Sequence, residues 1–309
     1  MTAAILLGPQ PPAPRLDADV AALGVDGPVA LVTAGYEEAE RNDAHLDRAL
    51  GGGTRNLGLY GRRLDILESD TDFAAALHRL RIELAEQQTL YRARLVHGLA
   101  AVDAVRRLGG SSRRSLGTQL DDAISDVRTL DDNHAAAMAA AVRRFEDEWP
   151  VHERDVILAH RGAVAAQLEE CAAIAVAGGH VGVLLECVWL CGVGPATVRM
   201  PLIAWSSGAM VVTERVMVTD EHEIGARPAE VMGTGSAAVC GVVVMVDSQA
   251  RLRIDDGDSL ALLARRCAPR ACVLLDDGDR LACADGAPDL DSARVIGLDG
   301  VIRRPAEAA

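Results

Sequence analysis

The chain has 309 residues, half of them apolar and only 3% aromatic, with a formal net charge of −14. That length holds one large α/β domain or two modest ones with a core of Ala, Val, Leu and Ile, and the charge argues against nucleic-acid or anionic-membrane partners. No lysine occurs, which removes Schiff-base chemistry, a Ser–Lys dyad and a phosphate-loop Lys together. The N-terminus lacks a basic segment followed by an apolar stretch, and no uninterrupted apolar run is long enough to span a bilayer. Seven cysteines occur without a Cys-x-x-Cys pair, so a reducing cytoplasm is the expected location.

In chain order, 3–7 predicts a short apolar strand, 10–14 a proline-rich loop and 16–23 a short helix. Residues 28–33 predict a strand that ends in Ala-Gly, as parallel strands do before a site loop. An amphipathic helix is expected over 37–50, broken by Gly51-Gly-Gly-Thr54, and a third strand over 57–60. From about residue 70 to 171 the pattern is helical, with Leu77, Leu80, Leu84, Leu90, Leu95 and Leu99 at spacings near three and four. Gly109-Gly-Ser-Ser112 interrupts it, and Trp149-Pro150 stops the second helix, because proline disfavours helical geometry just before itself. A third helix is expected over 153–170. The chain therefore divides into an α/β domain over 1–66 and 172–309 and a helical insertion over 67–171. The expected fold class is α/β: a three-layer, mostly parallel sheet with helices on both faces.

The α/β pattern resumes with a strand at 172–177, after which Gly178-Gly179-His180 opens a helix through Leu190. Met200-Pro-Leu-Ile-Ala-Trp-Ser-Ser-Gly-Ala-Met210 reads as a buried strand turning abruptly into a helix at Ser206. Such a turn is how α/β hydrolytic folds present a nucleophile; the sharp bend strains the serine backbone and needs small neighbours. The plainer reading is a small-residue turn where a strand meets a helix. Strands are expected at 216–218, 242–246 and 271–275, a helix at 259–268, and short finishing strands at 293–298 and 301–303. Asp255-Asp-Gly-Asp258 and Asp276-Asp-Gly-Asp279 lack the ligand spacing and closing Glu of a calcium loop. No pattern calls for a metal or other cofactor.

A Gly-Gly turn before a helix leaves backbone N–H groups free to point at an anion. Ala-Gly-Gly-His at 177–180, an apolar helix, and the Ser206 turn together resemble the dipeptidase E/cyanophycinase family of serine peptidases. That family has the class I glutamine amidotransferase-like fold, a Gly-Gly loop and a Gly-Trp-Ser-Ala-Gly-Ala nucleophile segment. The resemblance implies Ser206 as nucleophile, the N–H groups of Gly179 and Ser207 as oxyanion donors, and Gly178, His180 and Trp205 as neighbours lining the site. It implies a small peptide or amide substrate, aspartyl peptides included.

The chain departs from the family at the base. Where the family carries its downstream His, this sequence reads Val242-Val-Val-Met-Val-Asp247-Ser248, aligning Asp247 with that position, and no histidine follows His222. A serine hydroxyl needs a base within hydrogen-bond reach. His222 is the candidate base, with Asp220 as its orienter where the family's acidic residue falls; the competing reading is an exposed loop histidine among carboxylates. His180 lines the site first and serves as base second. Two functions follow: a serine-peptidase-like hydrolase, or a catalytically degenerate relative that binds or assembles, its helical insertion offering a surface for a homo-oligomer.

Overall fold

The computed structural model of the protein describes residues 3–10, 16–108, 113–220 and 227–303. The first half contains β1 (Ala3–Leu7), α1 (Asp17–Ala22), β2 (Val29–Val32), α2 (Ala44–Ala49), β3 (Arg55–Asn56), α3 (Leu59–Ser69), α4 (Thr71–Arg107), α5 (Arg113–Glu148) and α6 (Asp155–Glu169). There follow β4 (Ala173–Val176), α7 (Val181–Leu190), α8 (Gly194–Arg199), β5 (Leu202–Trp205), α9 (Ser207–Val211), β6 (Val216–Asp220), β7 (Arg227–Gly233) and β8 (Val242–Val246). The last stretch holds α10 (Ser248–Arg251), α11 (Gly257–Cys267), β9 (Ala271–Leu275), β10 (Arg280–Ala284), β11 (Ala287–Pro288), β12 (Arg294–Ile296) and β13 (Ile302–Arg303).

A seven-stranded sheet runs β11-β10-β1-β5-β4-β2-β3. Its five strands from β1 to β3 are parallel, and β10 and β11 close one edge antiparallel. Four of the parallel strands, β1, β2, β4 and β5, are wholly apolar because both faces are covered, whereas the edge strand β3 is Arg55–Asn56. Ala4, Leu6, Ala30, Val32, Ile174, Val176, Leu202 and Ala204 join one core with Leu184, Cys187 and Val188 of α7. The alternate residues Ile5, Leu7, Val29, Leu31, Ala173, Ala175, Ile203 and Trp205 pack with Leu16, Leu46 and Leu50 on the other side. The period of two along each strand produces this division.

Three expectations need correction. The segment 37–50 is not one helix: a 3-10 turn covers Ala34–Ala39, Glu37 breaks it at φ 54° and ψ −123°, and only α2 is helical. Tertiary bonds override the periodicity there. The buried Glu40 carboxylate accepts from the Tyr60 and Gly61 N–H groups at 2.8 and 2.9 Å, capping α3 from a distance. The strand expected over 57–60 ends at Asn56, because the chain turns at Gly58 (φ 61°) into α3. Nor do all the strands join one sheet. β8 and β9 pair in parallel within a separate four-stranded sheet, β13-β12-β9-β8, and β6 and β7 form an antiparallel ribbon. The sequence alone missed β7 and β10, which lack long apolar runs. The proline-rich loop at 10–14 falls largely outside the described residues.

The helices α4 and α5 form a long hairpin, each about 55 Å at 1.5 Å per residue. The sequence-based boundary at residue 67 falls inside α3. Asp70 caps α4, its carboxylate accepting from the Phe73 N–H at 3.0 Å and from the Arg154 guanidinium at 2.6 and 2.8 Å. The Arg154 bond holds the Asp70 carboxyl below the usual carboxylate range. A depressed folded value means stability that is fully present above the unfolded pKa of about 3.9 and lost as pH falls through the folded one. Asp70→Asn keeps the cap but removes the charge. It is expected to lower stability by about 1–2 kcal/mol at pH 7, a difference that disappears when urea midpoints are measured at progressively acidic pH. An equal deficit at all pH values would refute the ion-pair assignment.

Candidate active site

Three chain turns meet at the carboxyl ends of β2, β4 and β5, which are neighbours in the sheet. At the end of β5, Ser206 adopts φ 53° and ψ −134° before α9 begins. A positive φ in a non-glycine residue stores backbone strain. Its own N–H is anchored to the Leu7 carbonyl of β1 at 3.1 Å. Gly178 lies directly behind it: a Cβ there would stand 2.7 Å from Ser206 Cβ and 2.9 Å from Oγ. Gly208 sits against β4, where a Cβ would meet the Val176 carbonyl at 2.2 Å.

Behind this turn lies a second close approach. A Cβ on Gly35 would stand 2.4 Å from the Gly178 oxygen, and the His180 N–H donates to the Gly35 carbonyl at 2.8 Å. Gly179, at φ 110°, faces Gly35 just as closely. The Ser207 hydroxyl donates to the Gly179 carbonyl at 2.7 Å, joining the Gly-Gly loop to the serine turn. Among the described residues, no backbone bond engages the N–H of Gly179 or of Ser207. Ser207 is the first residue of α9, where helix geometry leaves the N–H without an intrahelical partner.

These loops border a cavity of about 180 Å³. Gly179, Ser206 and Ser207 form one wall. Met217, Val218 and Thr219 of β6, Met245 and Val246 of β8, and Val181, Met210 and Arg251 complete the lining. The Thr219 side chain is buried, and its hydroxyl has no hydrogen-bond partner among the described residues. Nothing in the sequence singled out Thr219, Arg251 or the methionines, because β6 and β8 reach the cavity only through the tertiary arrangement. Gly35 had a visible signal, the Ala-Gly ending of β2.

The remaining expected site residues are dispersed around this cavity. Trp205 points to the opposite face of the sheet, among Ile5, Leu7 and Ile203, because it is one residue out of phase with Ala204. The Tyr36 hydroxyl shares a hydrogen bond with it, and burial raises the Tyr36 pKa. His180 caps α7, its Nδ1 accepting from the Val183 N–H at 3.2 Å, so the neutral ring carries its proton on Nε2. Its side chain is not part of the cavity wall.

Asp247 has left-handed geometry (φ 56°, ψ 43°) at the end of β8, and its carboxylate lies 3.6 Å from Arg251. Among the described residues no hydrogen bond links Asp247 to Ser206, and neither an imidazole nor a carboxylate lines the cavity. Asp220 ends β6. His222 lies outside the described residues.

All seven cysteines are free thiols, and burial pushes Cys191 and Cys283 up to about 12. Asp276 accepts from Ser248 Oγ at 2.6 Å and pairs with Arg294, which also holds Asp279. Among the described residues there is no cluster of metal-ligating side chains, and no helix long and apolar enough to cross a membrane. Comparison of the chain with protein-family models and with curated proteins finds no match.

Proposed function

We propose that the protein is a serine hydrolase of small peptides or amides, with a class I glutamine amidotransferase-like fold of the dipeptidase E/cyanophycinase type and a helical insertion. The observation that carries this reading is the Ser206 turn, strained at φ 53° and closed in by two glycines that have no room for a side chain. A strained residue held in place by its whole surroundings is characteristic of a site, and a plain strand-to-helix turn has no need of it. Ser206 Oγ attacks the substrate carbonyl carbon, forming an ester bond as the C–N bond breaks. The N–H groups of Gly179 and Ser207 receive the oxyanion. The hydroxyl proton passes through His222, oriented by Asp220, to the leaving amine; water then hydrolyses the acyl-enzyme.

A fluorophosphonate probe tests this. The wild-type chain should be labelled and Ser206→Ala should not, and His222→Ala should slow labelling by roughly 100-fold or more. Labelling that survives His222→Ala would refute the base.

One observation favours a second reading. Among the described residues the cavity has no base beside Ser206, as expected of a degenerate relative that keeps the fold for binding or assembly. Absence of labelling under native conditions selects it, and sedimentation analysis then shows whether the assembly is a homo-oligomer.

A further inference from the structure

We infer that the Ser206 cavity takes an uncharged aliphatic side chain, and that Thr219 is the positioning residue that hydrogen-bonds the polar backbone of the bound molecule. The inference rests on the reading of this cavity as the substrate site.

Thr219 lines the cavity and is 7% exposed, and its hydroxyl finds no partner among the described residues. A buried hydroxyl without a partner costs free energy, and native structures satisfy nearly all such groups. None of the described residues lining the cavity bonds it, the Ser206 and Ser207 hydroxyls included, and the rest of that lining is mostly apolar, with Met210, Met217, Met245, Val218 and Val246 offering thioethers and methyls. A ligand amide N–H or carbonyl in the cavity supplies the missing partner, since a hydroxyl both donates and accepts.

The same wall decides the ligand's side chain. At about 180 Å³ the cavity is smaller than the roughly 300–1,000 Å³ of sites for drug-sized molecules, so it holds a single side chain or short acyl group. Flexible methionines adapt to branched aliphatic groups. Among the described lining residues the one charged side chain, Arg251, is 48% exposed and already faces the Asp247 carboxylate at 3.6 Å. Its charge is hydrated and partly neutralised, and an anionic ligand would still lie against apolar walls.

The test uses the full chain carrying Ser206→Ala, so that binding is read without turnover. N-acetyl-leucinamide and N-acetyl-aspartamide are titrated separately and followed by NMR. The leucinamide should bind about tenfold more tightly than the aspartamide. Adding Thr219→Val should weaken leucinamide binding about five- to tenfold, whereas Thr219→Ser should restore it. Thermal unfolding gives the readout of opposite sign: Thr219→Val should leave Tm unchanged or raise it, because an unsatisfied group is removed.

A fall in Tm would show that the hydroxyl serves the fold, and the inference would be wrong. Equal or reversed affinity for the two amides would overturn the aliphatic assignment, and affinity unmoved by Thr219→Val would overturn the anchor. If fluorophosphonate labelling fails while this binding pattern holds, the hydrolase is excluded and the ligand assignment stands. Labelling without amide binding has the converse meaning.

Discussion

Asp131→Ala is expected to lower the stability of the protein by about 3–5 kcal/mol. Asp131 is 1% exposed and its partner Arg266 3%. The Arg266 guanidinium donates to both carboxylate oxygens at 2.5 and 2.8 Å, to the Tyr91 hydroxyl at 2.8 Å and to the Ala229 carbonyl at 2.5 Å. Tyr91 in turn donates to Asp131 at 2.7 Å and accepts from the Val231 N–H at 3.2 Å. The cluster thus ties α4 and α5 to β7 and α11. Removing the carboxylate leaves a guanidinium in the core with no counter-charge, and that uncompensated charge accounts for the cost.

The double replacement Asp131→Leu with Arg266→Met should therefore cost clearly less than the sum of the single changes. Urea midpoints measure both. Because β7 pairs with β6, which borders the Ser206 cavity, Asp131→Ala should also speed exchange of the Val231 amide. If the single change costs under about 1 kcal/mol, the size of an exposed pair, the buried-cluster account is wrong.

Gly208→Ala is expected to cost up to about 3 kcal/mol and to slow fluorophosphonate labelling by about 100-fold, the scale of a displacement near 1 Å at a reacting group. The added Cβ would lie 2.2 Å from the Val176 carbonyl and 2.6 Å from that of Ala177. Both belong to backbone held in or beside β4, so neither can rotate away as a side chain would. Instead α9 must lift from the sheet, carrying Ser206 and the Ser207 N–H with it. Gly162→Ala serves as the control: it lies within α6 with nothing within 4 Å of its Cβ, and it should stabilise by up to about 1 kcal/mol. The two changes are chemically identical, so opposite signs in the unfolding midpoints would trace the loss at Gly208 to the contact with β4. Matching effects would remove the argument for a sterically enforced turn.

The parallel strands were legible because their two covered faces demand unbroken apolar runs, as in Ala173–Val176 and Leu202–Trp205. The long helices were legible from their spacing of three and four and from the stop at Pro150. The segment 37–50 was misread for a local reason. Its apolar spacing suits a helix, but Glu40 is committed to the Tyr60 and Gly61 amides, which are distant in sequence. β7 and β10 were missed because a strand such as Arg280–Ala284, with a charged first residue and only Leu281 large among the rest, is defined by its pairing with β1.

Sequence alone determined where Ser206, Gly178 and Gly179 would turn, because a tight strand-to-helix bend restricts residue size locally and small residues are visible in the sequence. Tertiary structure decided what faces them. Thr219, Met217 and Met245 reach the cavity because β6 and β8 leave the main sheet and pack across its carboxyl end. Trp205 was carried away from it by a one-residue change of phase along β5. Side-chain partners across a cavity depend on register and packing between segments far apart in the chain, and a linear pattern of residues holds no record of that distance.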